Sequence, residues 1–513
     1  MSTLVIDSRL KLQLLLWYAV IALALLVLGV NLATNQFFMA LLVAGMLWVV
    51  MLPYHAQLST RLAIATFSSA FIIPFLPGRM YLWELASLLG WTGVLVAFSL
   101  RRYPAGLGQT LRRNKWIFIG AALYCVVLLV TMKARGVGLR VLGSSQMGGR
   151  FYFQQMICAV FPLLFVLCPM KEKTFVRLFV LQCLLSGTYI VSDLAYTHYG
   201  GTVNRYLLTF LEVPGDAANF ERQAENFGIR RFQSLSFAGQ GFIFALLVFH
   251  NLRDFIGRRS VWLAPTTLLI IGMTLLSGHR MALISIGSIV IICALAQRFL
   301  RLRNLVVGGA LLGVLLLLVY AFPERLPRAG QRALSFLPGL QVDSQVATDA
   351  YGTLATRQEL FRLGWDMIPQ YFWIGRGFSN AAYGENFSAY EFDQTIAAHL
   401  AMGRFYNGFI GLMVNTGVFG FLCMAIFISG GLLSASRVIR HVRRYGSNDN
   451  FSRVSALVAS LYIFGVIAFL FLHGDSEYAM KSFSLLIGML LMIERLLNQR
   501  LGGSTPDAGS QAV

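Results

Sequence analysis

Charged residues are scarce in this sequence. Asp, Glu, Lys and Arg make up only 12% of its 513 residues, whereas hydrophobic residues make up 57%. A soluble domain carries about 25% charged residues, so the composition excludes an ordinary globular enzyme. Apolar runs of about 18 to 23 residues recur along the whole chain, each long enough to cross a bilayer as a helix. We therefore predict an all-α polytopic membrane protein with about 14 transmembrane helices, the third of them near residues 62–77.

Several motifs that carry metal or phosphate chemistry are missing. The chain has no Cys-x-x-Cys, no His-x-x-x-His, no Asp-x-Asp pair and no Gly-rich phosphate loop before a helix. Its six cysteines all fall inside or at the edge of apolar runs, where a thiol behaves as a small hydrophobic group. We predict no metal and no cofactor. Nucleotide-sugar chemistry at a cytoplasmic face has little support, and a substrate delivered from within the bilayer fits better.

The net charge of +20 raises the question of nucleic-acid binding, but membrane topology explains it. With the predicted spans, the side that carries the N-terminus holds 24 of the 42 basic residues and 6 of the 22 acidic residues. Such an excess is typical of a cytoplasmic face. We therefore predict a membrane protein with both termini cytoplasmic, with no nucleic acid as a partner. The run at residues 12–33 is too long for a signal-peptide core and is interpreted as a retained first span.

Three segments on the opposite, outer side exceed ordinary connectors: residues 133–150, 196–234 and 323–405. Residues 323–405, between the predicted spans 11 and 12, are long enough for two or three helices. Within them, residues 357–368 place their apolar side chains on one helical face, and Pro369 is expected to end that helix. The predicted organisation is one transmembrane domain over residues 1–501 with this loop inserted, followed by a disordered cytoplasmic tail at 502–513.

Arginine dominates the basic residues of the outer side, 16 of 18. A guanidinium binds phosphate oxygens in a bidentate fashion and stays charged, which suits a pyrophosphate held near lipid. The alternative is a general preference for arginine, because the whole chain has only 6 lysines. Arg280 lies in a tight turn between two spans and either reaches lipid headgroups or faces a site in the bundle. Arg230 and Arg231 precede the span near 233–250 and leave the same choice.

Candidate acid–base residues lie in the same polar stretches. His279 adjoins Arg280, and His399 lies near Asp393 and Arg404 in sequence, where a neutral imidazole could accept a hydroxyl proton. Glu359 and other loop carboxylates are further candidates. A lone histidine is more often structural than catalytic, and most loop carboxylates are simply solvated, so these alternatives stay open.

Three motifs resemble the O-antigen ligase and O-antigen polymerase superfamily of bacterial membrane proteins. The first is the turn Leu276-Ser277-Gly278-His279-Arg280. The second runs from Arg357 through Trp365 and Pro369 to Gly375-Arg376-Gly377-Phe378. The third is Tyr406-Asn407, then nine residues, then Gly417-x-x-Gly420. Each motif is weakly specific, whereas the three in this order are fairly specific.

The resemblance implies transfer of a glycan from undecaprenyl pyrophosphate to a sugar hydroxyl, without metal, at the periplasmic face of the bacterial inner membrane. It implies that Arg280, Arg357 and Arg230 or Arg231 bind the pyrophosphate, with Arg404 as an additional candidate. His279, Glu359 and Asn407 are then candidates for substrate binding, and membrane lipid and chain-length regulator or export proteins are candidate partners.

One residue departs from the family pattern. The ligase histidine falls on Tyr406, and a tyrosine with a pKa near 10 is a poor base at neutral pH. Either His399, Asp393 or a carboxylate of the last periplasmic turn takes that role, or Tyr406 only positions sugar. This departure favours a polymerase of lipid-linked repeat units over a ligase of finished glycans. A flippase is the alternative from another class, but it needs polar groups through the depth of its spans, whereas the arginines here gather at one rim.

Overall fold

The described part of the chain is helical. A computed structural model describes residues 23–31, 34, 36–50, 55–74, 76, 79–99, 104, 106–137, 149–197, 201–213, 228–255, 260–299, 302–378, 396–474 and 476–502. Within these residues no strand forms, only two isolated β-bridges. The predicted all-α class is confirmed for this part of the chain. The tail at 503–513 lies outside the described residues.

Nineteen α-helices have bounds that the described residues define. They are α1 (Phe37–Val50), α2 (His55–Thr66), α3 (Leu82–Ser99), α4 (Leu107–Arg113), α5 (Lys115–Arg135), α6 (Gly149–Leu167), α7 (Glu172–Leu185), α8 (Thr188–Thr197), α9 (Thr202–Phe210), α10 (Ser234–Phe249), α11 (Ser260–Leu276), α12 (Arg280–Ala296), α13 (Leu302–Ala321), α14 (Arg328–Leu334), α15 (Ser344–Tyr371), α16 (Ile396–Met402), α17 (Gly408–Tyr445), α18 (Asn450–Ile467) and α19 (Ser476–Gly502). A π-helical turn, Ala468–Leu472, follows α18.

Seven of the described helical segments are long and apolar enough to cross a membrane: α3, α5, α6, α7 with α8, α13, α17, and α18 with its π turn. Three shorter helical segments are also apolar: α10, most of α11, and α12. No residue of α13 is buried, and its leucine and valine side chains lie exposed. A surface this apolar is typical of a helix that faces lipid. The structure therefore supports a multi-pass helical bundle, while the count of fourteen spans stays a prediction.

The core of the bundle lies where α6, α17, α18 and α19 pack together. Helix α6 is mostly buried along its length. A side chain at Gly120 of α5 would meet the backbone of Phe427 in α17 at 2.7 Å, so these two helices cross with their backbones nearly in contact. Small residues allow such close crossings between membrane helices. All six cysteines are free thiols and five are buried, as their apolar setting predicted.

The predicted third span, residues 62–77, is wrong. Helix α2 ends at Thr66, and the described residues between 67 and 81 are not helical. Pro74 cannot continue a helix. The freed backbone groups pair elsewhere instead, with Ile72 donating to the Phe210 carbonyl and Ile73 to that of Met80. Hydropathy alone predicted a span here because it does not register where the backbone hydrogen bonds go.

The segment between α13 and α17 contains helices of its own, as predicted for residues 323–405. These are α14, α15 and α16. The expected helix at 357–368 is longer at both ends. It begins at Ser344, where Asp343 accepts a hydrogen bond from the Gln345 backbone, and it passes Pro369 to end at Tyr371. Pro369 therefore does not end α15, because its missing N–H costs only one hydrogen bond near the last turn.

Candidate active site

A tight turn between α11 and α12 presents Arg280 and His279 at one end of the bundle. Gly278 has φ of 68°, a conformation that disfavours other residues. The buried Ser277 hydroxyl donates to the Thr274 carbonyl at 2.6 Å and accepts from the His279 backbone at 3.2 Å. The turn thus has little freedom, and Arg280 begins α12 in a fixed position. We refer to residues 277–280 as the arginine turn.

Arg332 of α14 fastens the arginine turn to the loop helices. This buried guanidinium donates to the Gly278 carbonyl at 2.9 Å and to the Thr353 hydroxyl at 3.1 Å, and it forms an ion pair with Asp349. Arg280 donates to the neighbouring Ala350 carbonyl at 3.0 Å. Residues of α15 therefore lie directly against the turn. Sequence reasoning missed Arg332, because nothing separates it from the other arginines predicted for the outer side until its contacts with Asp349 and Gly278 are seen.

A second group of side chains surrounds the ring of Tyr406, just before α17. The Arg357 guanidinium lies 4.9 Å from the centre of this ring. The His473 ring stacks against it with centroids 5.1 Å apart and planes 18° from parallel, and the His399 ring meets it edge-on at 5.4 Å. The Tyr406 hydroxyl lies 3.4 Å from His399 Nδ1. Tyr406 itself has φ of 52°, a strained value of the kind that clusters at functional sites.

Asn407 fixes Tyr406 relative to His473. Its side-chain oxygen accepts a hydrogen bond from the Ile410 backbone at 3.1 Å and so caps α17. Its side-chain nitrogen donates to the Leu470 carbonyl of the π turn at 3.3 Å. Both ends of the amide are therefore engaged in joining two elements. The predicted contact of Asn407 with substrate stays a prediction, and the structure shows a positioning role.

The two groups form one region of positive charge. Arg280 lies within electrostatic range of Arg332 and Arg357. Burial, followed by Arg231 and Arg332, lowers the pKa of His279 to about 3. Burial, followed by Arg357 and Arg404, lowers the pKa of His473 to about 4. Both imidazoles are therefore neutral at neutral pH. We call Arg231, Arg280, Arg332, Arg357 and Arg404 the arginine cluster.

The predicted site residues divide by location. Seven of the predicted residues lie in one region with Arg332 and His473. They are Arg231, Arg280, Arg357, Arg404, His279, His399 and Tyr406. Arg230 is exposed, whereas its neighbour Arg231 is buried against Gly278, whose added Cβ would lie 2.5 Å from Arg231 Cδ. Glu359 lies two residues after Arg357, on the far side of α15, and pairs with exposed Arg362. Asp393 lies outside the described residues.

The glycines of the second and third motifs pack against each other. Helix α17 is broken at Gly417, which has φ of 71°. The Val414 and Asn415 carbonyls at this break accept hydrogen bonds from the Arg376 and Gly377 backbones at 2.8 and 3.0 Å. A Cβ on Gly375 would lie 2.2 Å from the Asn415 carbonyl oxygen. These motif residues therefore hold the end of α15 on α17 and orient Arg357 indirectly.

A separate buried ion pair lies where α3 and α6 begin. Arg150 donates to Glu84 at 3.0 Å, and Gln154 donates to the same carboxylate at 2.6 Å. Because the charges of Arg150 and Glu84 compensate each other, this pair is a structural feature rather than an anion site. In the part of the chain that the structure describes, no three His, Cys, Asp or Glu side chains come close enough to hold a metal ion.

Comparison with known proteins gives one family. Residues 265–425, from α11 through the first half of α17, match the family model described as O-Antigen ligase. This range contains the arginine turn, Arg332, Arg357 and Tyr406, whereas His473 lies beyond it. No curated protein matches the chain. The match confirms the resemblance seen in the three motifs: residues 265–425 of the chain are similar to the O-antigen ligase family.

Proposed function

We propose that this membrane protein transfers a glycan from undecaprenyl pyrophosphate to a sugar hydroxyl, joining lipid-linked repeat units into a polysaccharide at the periplasmic face. The family match supports glycan transfer of the ligase or polymerase type from a lipid-linked donor. The proposal goes further than the family match in three points: the donor carries a pyrophosphate, the transfer is inverting and needs no metal, and the protein is a polymerase. The observation that carries it is the convergence of the arginine cluster beside Tyr406.

The charge balance of the cluster suits a pyrophosphate. Four arginines of the cluster lie within electrostatic range of His279 or His473. The fifth, Arg280, lies within range of Arg332 and Arg357, and Asp349 pairs with Arg332. Arginines 231 and 332 are buried, so their fields are screened less than those of solvated charges. An anion of two phosphates would offset this excess charge, and its lipid chain could remain among the apolar helices.

The proposed reaction is a displacement at the anomeric carbon of the donor. The acceptor oxygen forms a bond to this carbon as the bond to the pyrophosphate oxygen breaks, and the electron pair leaves with the lipid pyrophosphate. Negative charge grows on the leaving group during this step. Fixed guanidinium groups therefore stabilise the transition state more than the bound donor, which is the condition for catalysis.

Ligation of a finished glycan is the second candidate, and the description of the matching family favours it. Tyr406 in place of the ligase histidine favours a polymerase, although His399 and His473 keep imidazoles beside that position. The intermediate that accumulates in a deletion strain separates the possibilities. Single repeats on the outer leaflet indicate a polymerase, long lipid-linked polymer indicates a ligase, and repeats trapped inside indicate a flippase.

Arg280 provides the direct test of the pyrophosphate role. We expect Arg280→Ala to lower transfer roughly 100-fold to 1,000-fold, as loss of a group that stabilises developing charge does. Arg280→Lys should also be poor, because lysine lacks the planar fork. Arg362→Ala is the matched control: Arg362 is exposed on α15, and exposed substitutions rarely change a free energy by more than about 0.5 kcal/mol. Polymer of normal length from inserted Arg280→Ala protein would refute the proposal.

A further inference from the structure

The turn that ends α18 places a histidine that the sequence motifs do not include. Residues Ala468–Leu472 form a π-helical turn, and the His473 backbone donates to the Ala468 carbonyl, five residues earlier, at 2.8 Å. Such turns inside membrane helices are frequent at functional sites. Gly474 follows, and a Cβ there would lie 2.0 Å from the Phe469 carbonyl oxygen. The tight turn therefore fixes where His473 stands at the end of the bundle.

His473 combines a fixed position with unused hydrogen-bonding capacity. Its ring stacks on Tyr406, whose backbone neighbour Asn407 donates to the π turn. Within the described part of the chain, neither ring nitrogen of His473 has a hydrogen-bond partner. An imidazole nitrogen that no protein group occupies can accept a proton from a bound hydroxyl.

From this geometry we propose that His473 is the general base of the reaction, accepting the proton of the acceptor hydroxyl as its oxygen attacks the anomeric carbon. The inference deepens the proposed function and depends on it. The proton passes from the acceptor oxygen to a nitrogen of His473, and the glycosidic electron pair leaves with the lipid pyrophosphate. Water or that pyrophosphate then takes the proton from the imidazolium, so the enzyme returns to its starting state.

The other imidazoles are less suited to this step. His399 lies with Nδ1 facing the Tyr406 hydroxyl. His279 lies nearer to Arg231 and Arg332, which with burial lower its pKa to about 3, so it is the weaker base. The ring of His473 stacks on Tyr406, the residue that aligns with the ligase histidine. This placement explains how a chain with tyrosine at that position still provides an imidazole.

The charges around His473 make its strength as a base depend on whether the donor is bound. Among the described residues, those within electrostatic range or in ring contact are Arg357 of α15, Arg404 before α17, His279 of the arginine turn and Tyr406. With burial, the two arginines lower the pKa of His473 to about 4, below the usual 6.5. A bound pyrophosphate would offset their charge and raise this pKa. Base strength would then increase when the donor is in place.

The test uses the full-length protein in lipid nanodiscs with lipid-linked repeat units extracted from its own deletion strain. We expect His473→Gln to lower kcat roughly 100-fold to 10,000-fold, the usual contribution of a general base, with KM nearly unchanged. His441→Gln is the matched control, because His441 lies far away at the opposite end of α17. Added imidazole should restore part of the activity of His473→Ala but not of Arg280→Ala. A purely structural role would not respond to imidazole.

The pH dependence gives a second readout. Activity needs neutral His473, so kcat/KM of the wild type should fall only as the pH approaches about 4, the pKa in the free enzyme. In the donor complex the raised pKa should move the acid limb of kcat to higher pH, and His473→Gln should lack that limb. Full activity of His473→Gln, or loss of kcat confined to His399→Gln, would overturn the assignment. Full activity of Arg280→Ala would instead overturn the proposed function.

Discussion

The Arg332–Asp349 ion pair allows a quantitative test of how the site is held together. Both side chains are less than a tenth exposed. Removing one partner of a buried ion pair typically costs about 3–5 kcal/mol, because the other charge stays buried without compensation. Arg332→Ala also removes the donors to the Gly278 carbonyl and the Thr353 hydroxyl. We therefore expect each of the single variants Arg332→Met and Asp349→Leu, like the corresponding alanine variants, to destabilise this end of the bundle by about 3–5 kcal/mol.

The double variant Arg332→Met/Asp349→Leu should be less destabilised than either single variant. Replacing a whole buried pair by apolar residues of similar volume is often neutral. The double-mutant cycle should therefore show a coupling energy of about 2 kcal/mol or more, within the range for contacting residues. Thermal unfolding of the purified protein, and hydrogen exchange of the arginine turn, measure this coupling.

Transfer activity should not follow stability in this series. The double variant restores packing, but it removes one arginine from the cluster and the donor to Gly278. We expect its transfer rate to stay at least about tenfold below wild type, which corresponds to the loss of roughly 1.4 kcal/mol of transition-state stabilisation. Additive effects of the two single variants, or full activity of the double variant, would refute the positioning role of Arg332.

Two glycines give further predictions. Gly278→Ala places a Cβ 2.5 Å from Arg231 Cδ at a φ of 68°, so we expect a cost of about 1–2 kcal/mol and a transfer rate reduced at least tenfold, on the order of that cost. Gly287→Ala in α12, with open space around it, is its control, and normal transfer by Gly278→Ala would contradict the prediction. Gly375→Ala places a Cβ 2.2 Å from the Asn415 backbone, and overpacking of this kind costs about 1–3 kcal/mol. Thermal unfolding should show this loss beside Gly352→Ala in α15, which meets no atom within 4 Å. An unchanged unfolding temperature for Gly375→Ala would show that the α15–α17 contact is not tight.

Sequence determined the class of the protein and the region of its site. Apolar runs of membrane length predict helices because lipid leaves backbone groups no other partners, and the described chain is helical. The order of the three motifs located the segment that matches the O-antigen ligase family. The placement of Arg280 at a tight turn between helices also followed from sequence, because a charged residue between two apolar runs can lie only at their junction.

Tertiary structure decided which of many arginines lie together. Arg230 and Arg231 are adjacent in sequence, yet only Arg231 is buried against the arginine turn. Arg332 lies 54 residues from Gly278 along the chain, and His473 lies 67 residues from Tyr406. Neither residue belongs to one of the three sequence motifs. Their proximity depends on how α14 and the π turn pack, and packing is set by contacts between distant residues that no local pattern records. The break at Gly417 also depends on distant residues. The carbonyls that it frees accept hydrogen bonds from the Arg376 and Gly377 backbones, in the segment that follows α15.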